Sequence, residues 1–258
     1  MVATIGGDMD YSTLASIVAR YQAAELHREI HPQDGMWHSG PDWYWSIGRS
    51  ALQCVLDALA ATWRDKDPGS ILDLGCGYGR VGRHLRAAFP YARFYWCDVA
   101  GAEFCAERFG GEAIRSDTDP TAIRLPLVDI MWIGSLFTHL TEKSTRRWLC
   151  TLAERVNPEG VLIATFHGRT SLATYRKTGT LNPGTADRIE EECRLLGWGY
   201  QPYQASKDTE WGFSMTSAAK LADIGASVPG MRIAGIREAG WGNNHDVLTL
   251  INRQKLAV

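Results

Sequence analysis

The strongest candidate for chemistry is a glycine-rich turn, Asp73–Arg80, with the sequence DLGCGYGR, directly after the apolar pair Ile71 and Leu72. The apolar residues predict the end of a buried strand, and the residues from Arg80 onward predict the start of a helix. Glycine accepts positive φ and leaves room for a ligand beside the backbone. A helix N-terminus offers unpaired N–H groups to an anionic or polar ligand. The spacing therefore predicts a strand–turn–helix that holds a nucleotide, with an ordinary tight turn as the alternative.

The spacing of the glycines bears on which nucleotide is bound. A dinucleotide site has the pattern G-x-G-x-x-G. Counted from Gly75, the third glycine position is occupied by Arg80, and counted from Gly77 the strand would end two residues too late. The pattern present is acidic-x-Gly-x-Gly-x-Gly, from Asp73 to Gly79. A nicotinamide-dependent oxidoreductase is therefore the less favoured alternative.

Two further acidic residues follow predicted strands. Asp98 ends the apolar run 92–98 and lies 23 residues after Gly75, close to the ~20 typical of a carboxylate that binds ribose hydroxyls. Asp98 could also cap the helix predicted over Ala102–Phe109. Asp117 follows a short third strand and could face an adenine amino group, although the turn-forming residues around it favour a local turn equally.

Strands alternate with helices from Ile71 to Phe166, which predicts an α/β fold with a doubly wound, parallel sheet. In such sheets a ligand binds at the carboxyl ends of the strands, near the switch in strand order. Besides the glycine turn and Asp98, those ends carry the run Ser135–His139 and His167. We therefore expect these residues to converge on one edge.

The glycine pattern and the run Ser135–Leu140, SLFTHL, resemble class I S-adenosylmethionine-dependent methyltransferases. The resemblance covers residues 45–167 well and the remainder loosely. The run Arg155–Gly160 differs from the family's usual sequence at two positions. It implies a Rossmann-like, seven-stranded sheet that is mostly parallel with an antiparallel last strand, and S-adenosyl-L-methionine as cofactor. The hairpin run Trp241–Asp246 resembles a subgroup found with glycan or natural-product pathways.

The resemblance also implies a set of cofactor-binding residues. Asp73 would lie beside the methionine amino group, and the glycines would let the backbone run against the cofactor. Arg49 could pair with the cofactor carboxylate, or it could be a surface arginine at a helix start. The full predicted set is Asp73, Gly75, Cys76, Gly77, Gly79, Arg80, Asp98, Val99, Asp117, Gly134, Ser135, Phe137 and Arg49.

Methyl transfer requires in-line positioning and, for a hydroxyl acceptor, removal of a proton. Histidine is the natural base near neutral pH, and His139, His167 and His245 all fall at the predicted ligand edge. Each could instead be structural. Asp246 could orient His245, although adjacent residues of a strand point to opposite faces. The histidines could also bind a metal, but without an i, i+4 histidine pair or an acidic cluster we predict none.

Three segments are predicted along the chain. Residues 1–62 would form an N-terminal helical extension, with an amphipathic helix from Tyr11 to about His31 and an aromatic loop over Asp34–Trp45. Residues 63–258 would form the methyltransferase domain. Within it, residues 169–210 interrupt the alternation and predict a lid on the substrate side.

Composition limits the class of protein. The 258 residues are 45% apolar with a net charge of −2, enough for one core plus a lobe and without the basic surface of a nucleic-acid-binding protein. No long apolar run or leader is evident, so we expect a cytoplasmic protein that does not bind membranes, with its six cysteines as free thiols. The expected partner is a small-molecule or sugar acceptor, within a possible homodimer. A noncatalytic S-adenosylmethionine-binding protein and a protein or RNA methyltransferase are the remaining alternatives.

Overall fold

The computed structural model describes residues 12–62, 66–203 and 210–253. Its strands are β1 (Ser70–Leu74), β2 (Arg93–Asp98), β3 (Glu112–Arg115), β4 (Val128–Ile133), β5 (Val156–His167), β6 (Trp198–Pro202), β7 (Gly212–Thr216), β8 (Met231–Trp241) and β9 (His245–Asn252). Its α-helices are α1 (Ser12–Ala23), α2 (Pro41–Thr62), α3 (Gly82–Ala88), α4 (Ala102–Phe109), α5 (Glu142–Ala153), α6 (Arg169–Thr178), α7 (Pro183–Leu196) and α8 (Ala218–Ser227). Two short 3₁₀ helices cover Gly35–Ser39 and Pro120–Ala122.

Seven strands form one sheet in the order β3-β2-β1-β4-β5-β9-β8. Only β9 runs antiparallel to its neighbours β5 and β8, and the other pairs are parallel. This confirms the predicted seven-stranded, mostly parallel sheet with an antiparallel last strand. The order reverses between β1 and β4, so the carboxyl ends of these two strands define the crevice in which a ligand binds.

The sheet is covered on both faces, which explains why β1, β4 and β5 are continuous apolar runs rather than alternating ones. On one face Trp96 and Trp132 pack in a cluster that includes residues of α2, α3 and α4. On the other face Trp148 and Leu221 belong to a second cluster, with residues of α5 and α8. All six cysteines are free.

The N-terminal extension differs from the predicted one. Helix α1 ends at Ala23 instead of near His31, because the segment that follows is held by a buried side chain. Arg83 Nη1 donates to the carbonyl oxygens of His27 and Glu29, at 3.0 Å each, and so ties this segment to α3. The predicted aromatic loop is also shorter, because α2 already begins at Pro41, a residue well suited to a helix start. Residues 1–11 of the predicted extension lie outside the described part of the chain.

The predicted lid is an insertion between β5 and α8, made of α6, α7 and the hairpin β6–β7. It has a small apolar core that includes Leu172, Ile189 and Phe213. The predicted boundary at residue 210 is too early, since β7 pairs with β6 and extends the insertion to Thr216. Residues 204–209 lie outside the described residues. None of the described helices is long and apolar enough to cross a membrane.

Candidate active site

The glycine turn has the backbone conformation that its sequence predicts. Gly75, Gly77 and Gly79 have φ values of +79°, +50° and +78°. A Cβ added to Gly77 would meet nothing within 4 Å, whereas one on Gly79 would lie 2.2 Å from Phe109 Cε2. Gly77 therefore faces open space that a ligand could fill. Gly79 is needed for packing against α4, which differs from the cofactor contact predicted for it.

Asp98 closes the turn from the end of β2. Its Oδ2 accepts a hydrogen bond from the backbone N–H of Gly77 at 2.9 Å, and its Oδ1 accepts one from Ala100 at 3.1 Å. A carboxylate oxygen has a second lone pair, so a partly exposed Asp98 can still accept from donors in the crevice. The position agrees with the predicted ribose contact, which stays a prediction.

A large cavity of about 880 Å³ opens at the carboxyl ends of β1, β2 and β4. This volume is within the range of small-molecule sites. The structure brings seven of the predicted site residues to its wall: Gly75, Asp98, Val99 and Asp117, together with Gly134, Ser135 and His139.

Ser135 lies in this wall with φ of +62°, an uncommon conformation for a residue other than glycine. Two groups support it. Its N–H donates to Thr165 Oγ1 at 2.7 Å, and its carbonyl accepts from Thr138 Oγ1 at 2.6 Å. The turn after β4 is therefore held at the crevice by side chains that are themselves buried.

A smaller cavity of about 240 Å³ shares Gly75 and Gly134 with the large one. The N-terminal extension closes it through Asp34 and Met36. Cys76, Gly77, Arg80, Trp132 and Trp241 complete the wall. The two cavities therefore adjoin each other at Gly75 and Gly134.

A carboxyl group and a guanidinium group near this turn each have one buried atom without a hydrogen-bond partner. Asp73 is 1% exposed, and its Oδ2 has no partner among the described residues. Burial and the nearby Asp98 raise the pKa of Asp73 to about 8, while the positive charge of Arg80 acts in the opposite direction. Arg80 Nη1 is also buried and without a partner. Unpaired buried groups of this kind are costly unless a ligand pairs them.

The pair fits the amino-acid end of S-adenosylmethionine, because an ammonium group would satisfy Asp73 and a carboxylate would satisfy Arg80. The guanidinium group of Arg80 lies over the rings of Trp43 and Trp241, at 4.9 and 5.7 Å from the ring centres. Trp43 of the N-terminal extension and Trp241 of β8 therefore hold this arginine at the small cavity.

Four predicted cofactor residues line neither cavity: Asp73 and Gly79, which belong to the strand end and the glycine turn, and also Phe137 and Arg49. Phe137 is fully buried and its ring stacks on Phe166 at 5.3 Å, so it fills the core beneath the turn. Arg49 is exposed on α2 and lines neither cavity. Arg80, which the prediction also included, is the arginine that lines the small cavity.

His139 lies in the wall of the large cavity. Its Nδ1 is 2.8 Å from the Tyr203 hydroxyl and 3.2 Å from the carbonyl oxygen of Gly212. Its ring stacks on Trp211 at 4.7 Å. Since a carbonyl can only accept, Nδ1 carries the proton and Nε2 keeps its lone pair. Burial lowers the pKa of His139, which keeps the ring neutral.

His167 and His245 lie directly opposite each other on β5 and β9, with ring centres 4.8 Å apart. Tyr175 of the lid helix α6 joins them, because its hydroxyl is 3.3 Å from His167 Nε2 and 3.4 Å from His245 Nε2. Burial lowers the pKa of His167 well below its usual value and that of His245 to about 3. Asp246 does not orient His245; it accepts from the N–H of Ala239 at 2.8 Å.

The insertion between β5 and α8 supplies residues that sequence reasoning missed. Tyr175, Tyr203 and Trp211 all contact the predicted histidines, but no spacing marks them in the sequence. Arg83 was also missed. It is 2% exposed and bonds the glycine turn as well as the N-terminal extension, through the carbonyls of Gly79 and Tyr78. Among residues 12–62, 66–203 and 210–253 there is no group of three or more metal-ligating side chains.

Comparison with known proteins agrees with this geometry. Residues 72–162 match a family model described as a methyltransferase domain. No curated protein sequence matches the chain significantly.

Three solved structures illustrate the shared fold. The 1,6-didemethyltoxoflavin N1-methyltransferase of Burkholderia thailandensis, solved with 1,6-didemethyltoxoflavin and S-adenosylhomocysteine, has a TM-score of 0.56 at 11% identity, over 98% of this chain and 94% of that one. The magnesium protoporphyrin IX methyltransferase of Synechocystis, with bound S-adenosylhomocysteine, has a TM-score of 0.53 at 15% identity, over 95% and 97%. An O-methyltransferase family protein of Burkholderia thailandensis has a TM-score of 0.52 at 13% identity, over 81% of this chain and 57% of that one.

This chain thus spans little more than half the length of the last of these proteins. Identities this low show a shared fold and leave the acceptor open. Residues 72–162 are thus similar to a methyltransferase domain, and the strand order and the acidic glycine turn agree with the predicted resemblance to class I S-adenosylmethionine-dependent methyltransferases.

Proposed function

We propose that this protein transfers a methyl group from S-adenosylmethionine to a hydroxyl group of a small molecule or sugar. The supporting observation is that two cavities adjoin each other at the glycine turn, where both are lined by Gly75 and Gly134. Arg80 lines the small cavity, Asp73 lies in β1 directly before the glycine turn, and Asp98 lines the large cavity. Groups that could bind an amino acid therefore lie on one side of the turn, and a group that could bind a nucleoside lies on the other, as a ligand with both ends would require.

Each of these residues has a distinct task in the proposal. Asp73 pairs with the ammonium group and Arg80 with the carboxylate of the methionine part, while Asp98 accepts from the ribose hydroxyls. Val99, which is 67% exposed beside Asp98, offers an apolar surface to the adenine ring, and Asp117 faces its amino group. The bound cofactor supplies a methyl group on a positively charged sulfur, which is already a good leaving group.

His139 is the base in this proposal. Its Nδ1–H is held by the Gly212 carbonyl, so the lone pair on Nε2 is available to take the proton of an acceptor hydroxyl. His167 is less suited, because its Nδ1 bonds the Ser214 carbonyl and its Nε2 is within bonding distance of Tyr175.

The first test is calorimetric binding of S-adenosylhomocysteine and, separately, NADH to the full chain. We expect binding of S-adenosylhomocysteine only. Replacing Asp98 with asparagine should weaken it at least tenfold, about 1.4 kcal/mol, because the ribose would lose a charged acceptor. The control is Asp223→Asn on α8, whose carboxylate is 62% exposed in a surface ion pair of small energetic value.

Binding of NADH without S-adenosylhomocysteine would overturn the methyltransferase proposal. Unchanged affinity in the Asp98 variant would remove that residue from the ribose site while leaving the remaining proposal in place.

A further inference from the structure

The large cavity has an apolar and aromatic portion next to His139. Its members are Leu136, Leu140, Trp148 and Trp211. The ring of Trp211 stacks on that of His139, with the two centres 4.7 Å apart. Lys143 and Arg147 line the cavity as well, but both side chains are exposed, and Arg147 pairs with Asp119 at 2.6 Å. The proposed base therefore borders a surface of hydrocarbon and aromatic ring.

Trp211 is the more open of the two indole rings in this portion. It is 38% exposed, whereas Trp148 is 4% exposed. Its backbone is held in place by a bridge to Leu140, and its carbonyl accepts from the N–H of Tyr203 at 3.3 Å. An accessible ring in a cavity wall is a typical contact surface for a ligand, and a second aromatic ring gains most from packing against it.

The two serine hydroxyls that line the cavity on either side of His139 in the chain have their protons engaged within the protein. Thr138 Oγ1 lies 2.6 Å from the carbonyl oxygen of Ser135 and donates to it, because a carbonyl can only accept. Ser135 Oγ, 3.1 Å from Thr138 Oγ1, is then the donor of that contact. Ser144 Oγ donates to the carboxylate of Glu210. A sugar ring needs partners for several hydroxyl groups, and these serines have no proton left to offer them.

The basicity of His139 favours the same kind of acceptor. Burial lowers the pKa of His139, which makes it a weaker base than an exposed histidine. Transfer of a proton to a base is easier from a stronger acid. A phenolic hydroxyl has a pKa of about 10, as in tyrosine, whereas an aliphatic or sugar hydroxyl is a much weaker acid. A phenol is therefore the better match for this histidine.

We propose that the acceptor is a phenol, with its aromatic ring packed against Trp211 and its hydroxyl group at Nε2 of His139. Trp211 is then the residue that selects a flat ring over a sugar ring. This inference rests on the proposed methyl transfer and narrows its substrate class. The phenol proton passes to His139 Nε2 as the phenol oxygen gains the methyl group, and the sulfur keeps the electron pair of the broken carbon–sulfur bond.

The ring is tested with two probes on the full chain saturated with S-adenosylhomocysteine. 2-Naphthol has a flat aromatic ring system with one hydroxyl group, and trans-2-decalol has the same carbon skeleton in saturated form. By calorimetry we expect 2-naphthol to bind at least tenfold more tightly, because only a flat ring can stack on the indole. Equal affinities, or no binding of 2-naphthol at millimolar concentration, would overturn the inference.

The role of Trp211 is tested with two variants. Trp211→Leu should weaken the binding of 2-naphthol about tenfold, and Trp211→Phe should retain most of it, while the affinity for S-adenosylhomocysteine stays unchanged in both. The control is Tyr91→Leu, which removes an aromatic ring that is 82% exposed. Equal losses in the leucine and phenylalanine variants would show that the ring packs the wall without selecting the acceptor.

Turnover with S-adenosylmethionine gives an independent readout. We expect a panel of phenols and sugars to yield aryl methyl ethers, and methylation of sugars alone would contradict the proposal. Absent binding of S-adenosylhomocysteine, measured before any probe is added, would overturn the proposed function itself. Binding of S-adenosylhomocysteine without a preference for 2-naphthol would overturn only the phenol. If Trp211→Leu does not fold, the probe preference of the unaltered chain still decides.

Discussion

Asp73 carries its carboxyl group at a buried position of β1, next to the turn that Asp98 closes. Burial and the neighbouring carboxylate favour the protonated form, which raises its pKa to about 8 from an ordinary value of 3.8. In the absence of a cationic ligand, the folded protein therefore binds a proton at neutral pH that the unfolded chain has released.

This difference gives a prediction about stability. Between about pH 5 and 7 the folded state holds one more proton at Asp73 than the unfolded state, so raising the pH lowers the free energy of unfolding. The contribution is fully present below pH 3.8 and is lost as the pH rises through about 8. We expect the free energies of unfolding of the native chain and Asp73→Asn to diverge by about 1.4 kcal/mol per pH unit in that window.

Urea titrations of both proteins at several pH values, without cofactor, measure this difference. A constant difference across the window would show that Asp73 is not protonated in the folded state.

Among the elements, the β6–β7 hairpin has the most direct effect on the proposed base. β7 docks on the turn after β4, where the N–H groups of Gly212 and Ser214 donate to the carbonyls of His139 and Thr138 at 2.8 and 2.9 Å. The carbonyl oxygen of Gly212, in the same strand, accepts a hydrogen bond from Nδ1 of His139. One hairpin therefore fixes both the position and the tautomer of this histidine.

We expect His139→Gln to lower kcat at least tenfold, about 1.4 kcal/mol, while the affinity for S-adenosylhomocysteine stays unchanged. Glutamine can replace the hydrogen bond to the lid but cannot take a proton. Tyr203→Phe should have a smaller effect, because the Gly212 carbonyl still holds the tautomer. The readout is S-adenosylhomocysteine release with a panel of hydroxyl compounds. Equal loss in both variants would point to packing rather than base chemistry.

For the whole molecule, three neutral histidines lie in the interior. Burial lowers the pKa of His84 and His245 to about 3 and that of His167 well below 6.5. All three remain neutral in the folded chain at pH values where the unfolded chain takes up protons. His167 and His245 adjoin each other, whereas His84 lies apart from them on α3 and bonds Tyr21 of α1 at 2.7 Å.

These histidines predict sensitivity to acid. Their contribution to stability is complete above pH 6.5 and is lost as the pH falls toward 3, by up to about 1.4 kcal/mol per pH unit for each. The raised pKa of Asp73 increases the stability as the pH falls, but this is one group against three histidines. Since domains have about 5–15 kcal/mol of stability, we expect cooperative acid unfolding between about pH 4 and 5.

Circular dichroism during acid titration measures the midpoint. His245→Gln should make the transition shallower, and exposed His38→Gln should leave it unchanged. An identical transition in the His245 variant would contradict this account.

The amino-acid sequence by itself determined the sheet and its ligand edge. Those features depend on local patterns: apolar runs flanked by turn formers, and glycines at positions that adopt positive φ. The acidic residues Asp73 and Asp98 were predicted because each ends or nearly ends a strand, so its place in the sheet follows from its place in the chain.

Only the tertiary structure decided which side chains meet. Arg80 rather than Arg49 lines the small cavity, and Phe137 is buried in the core. Helix α1 ends at Ala23, and the segment after it is held by a hydrogen bond from Arg83 to the carbonyl oxygen of His27. Tyr175 joins two histidines that lie 8 and 70 residues away along the chain. Such contacts depend on how the insertion packs over the sheet, and no local spacing encodes that arrangement.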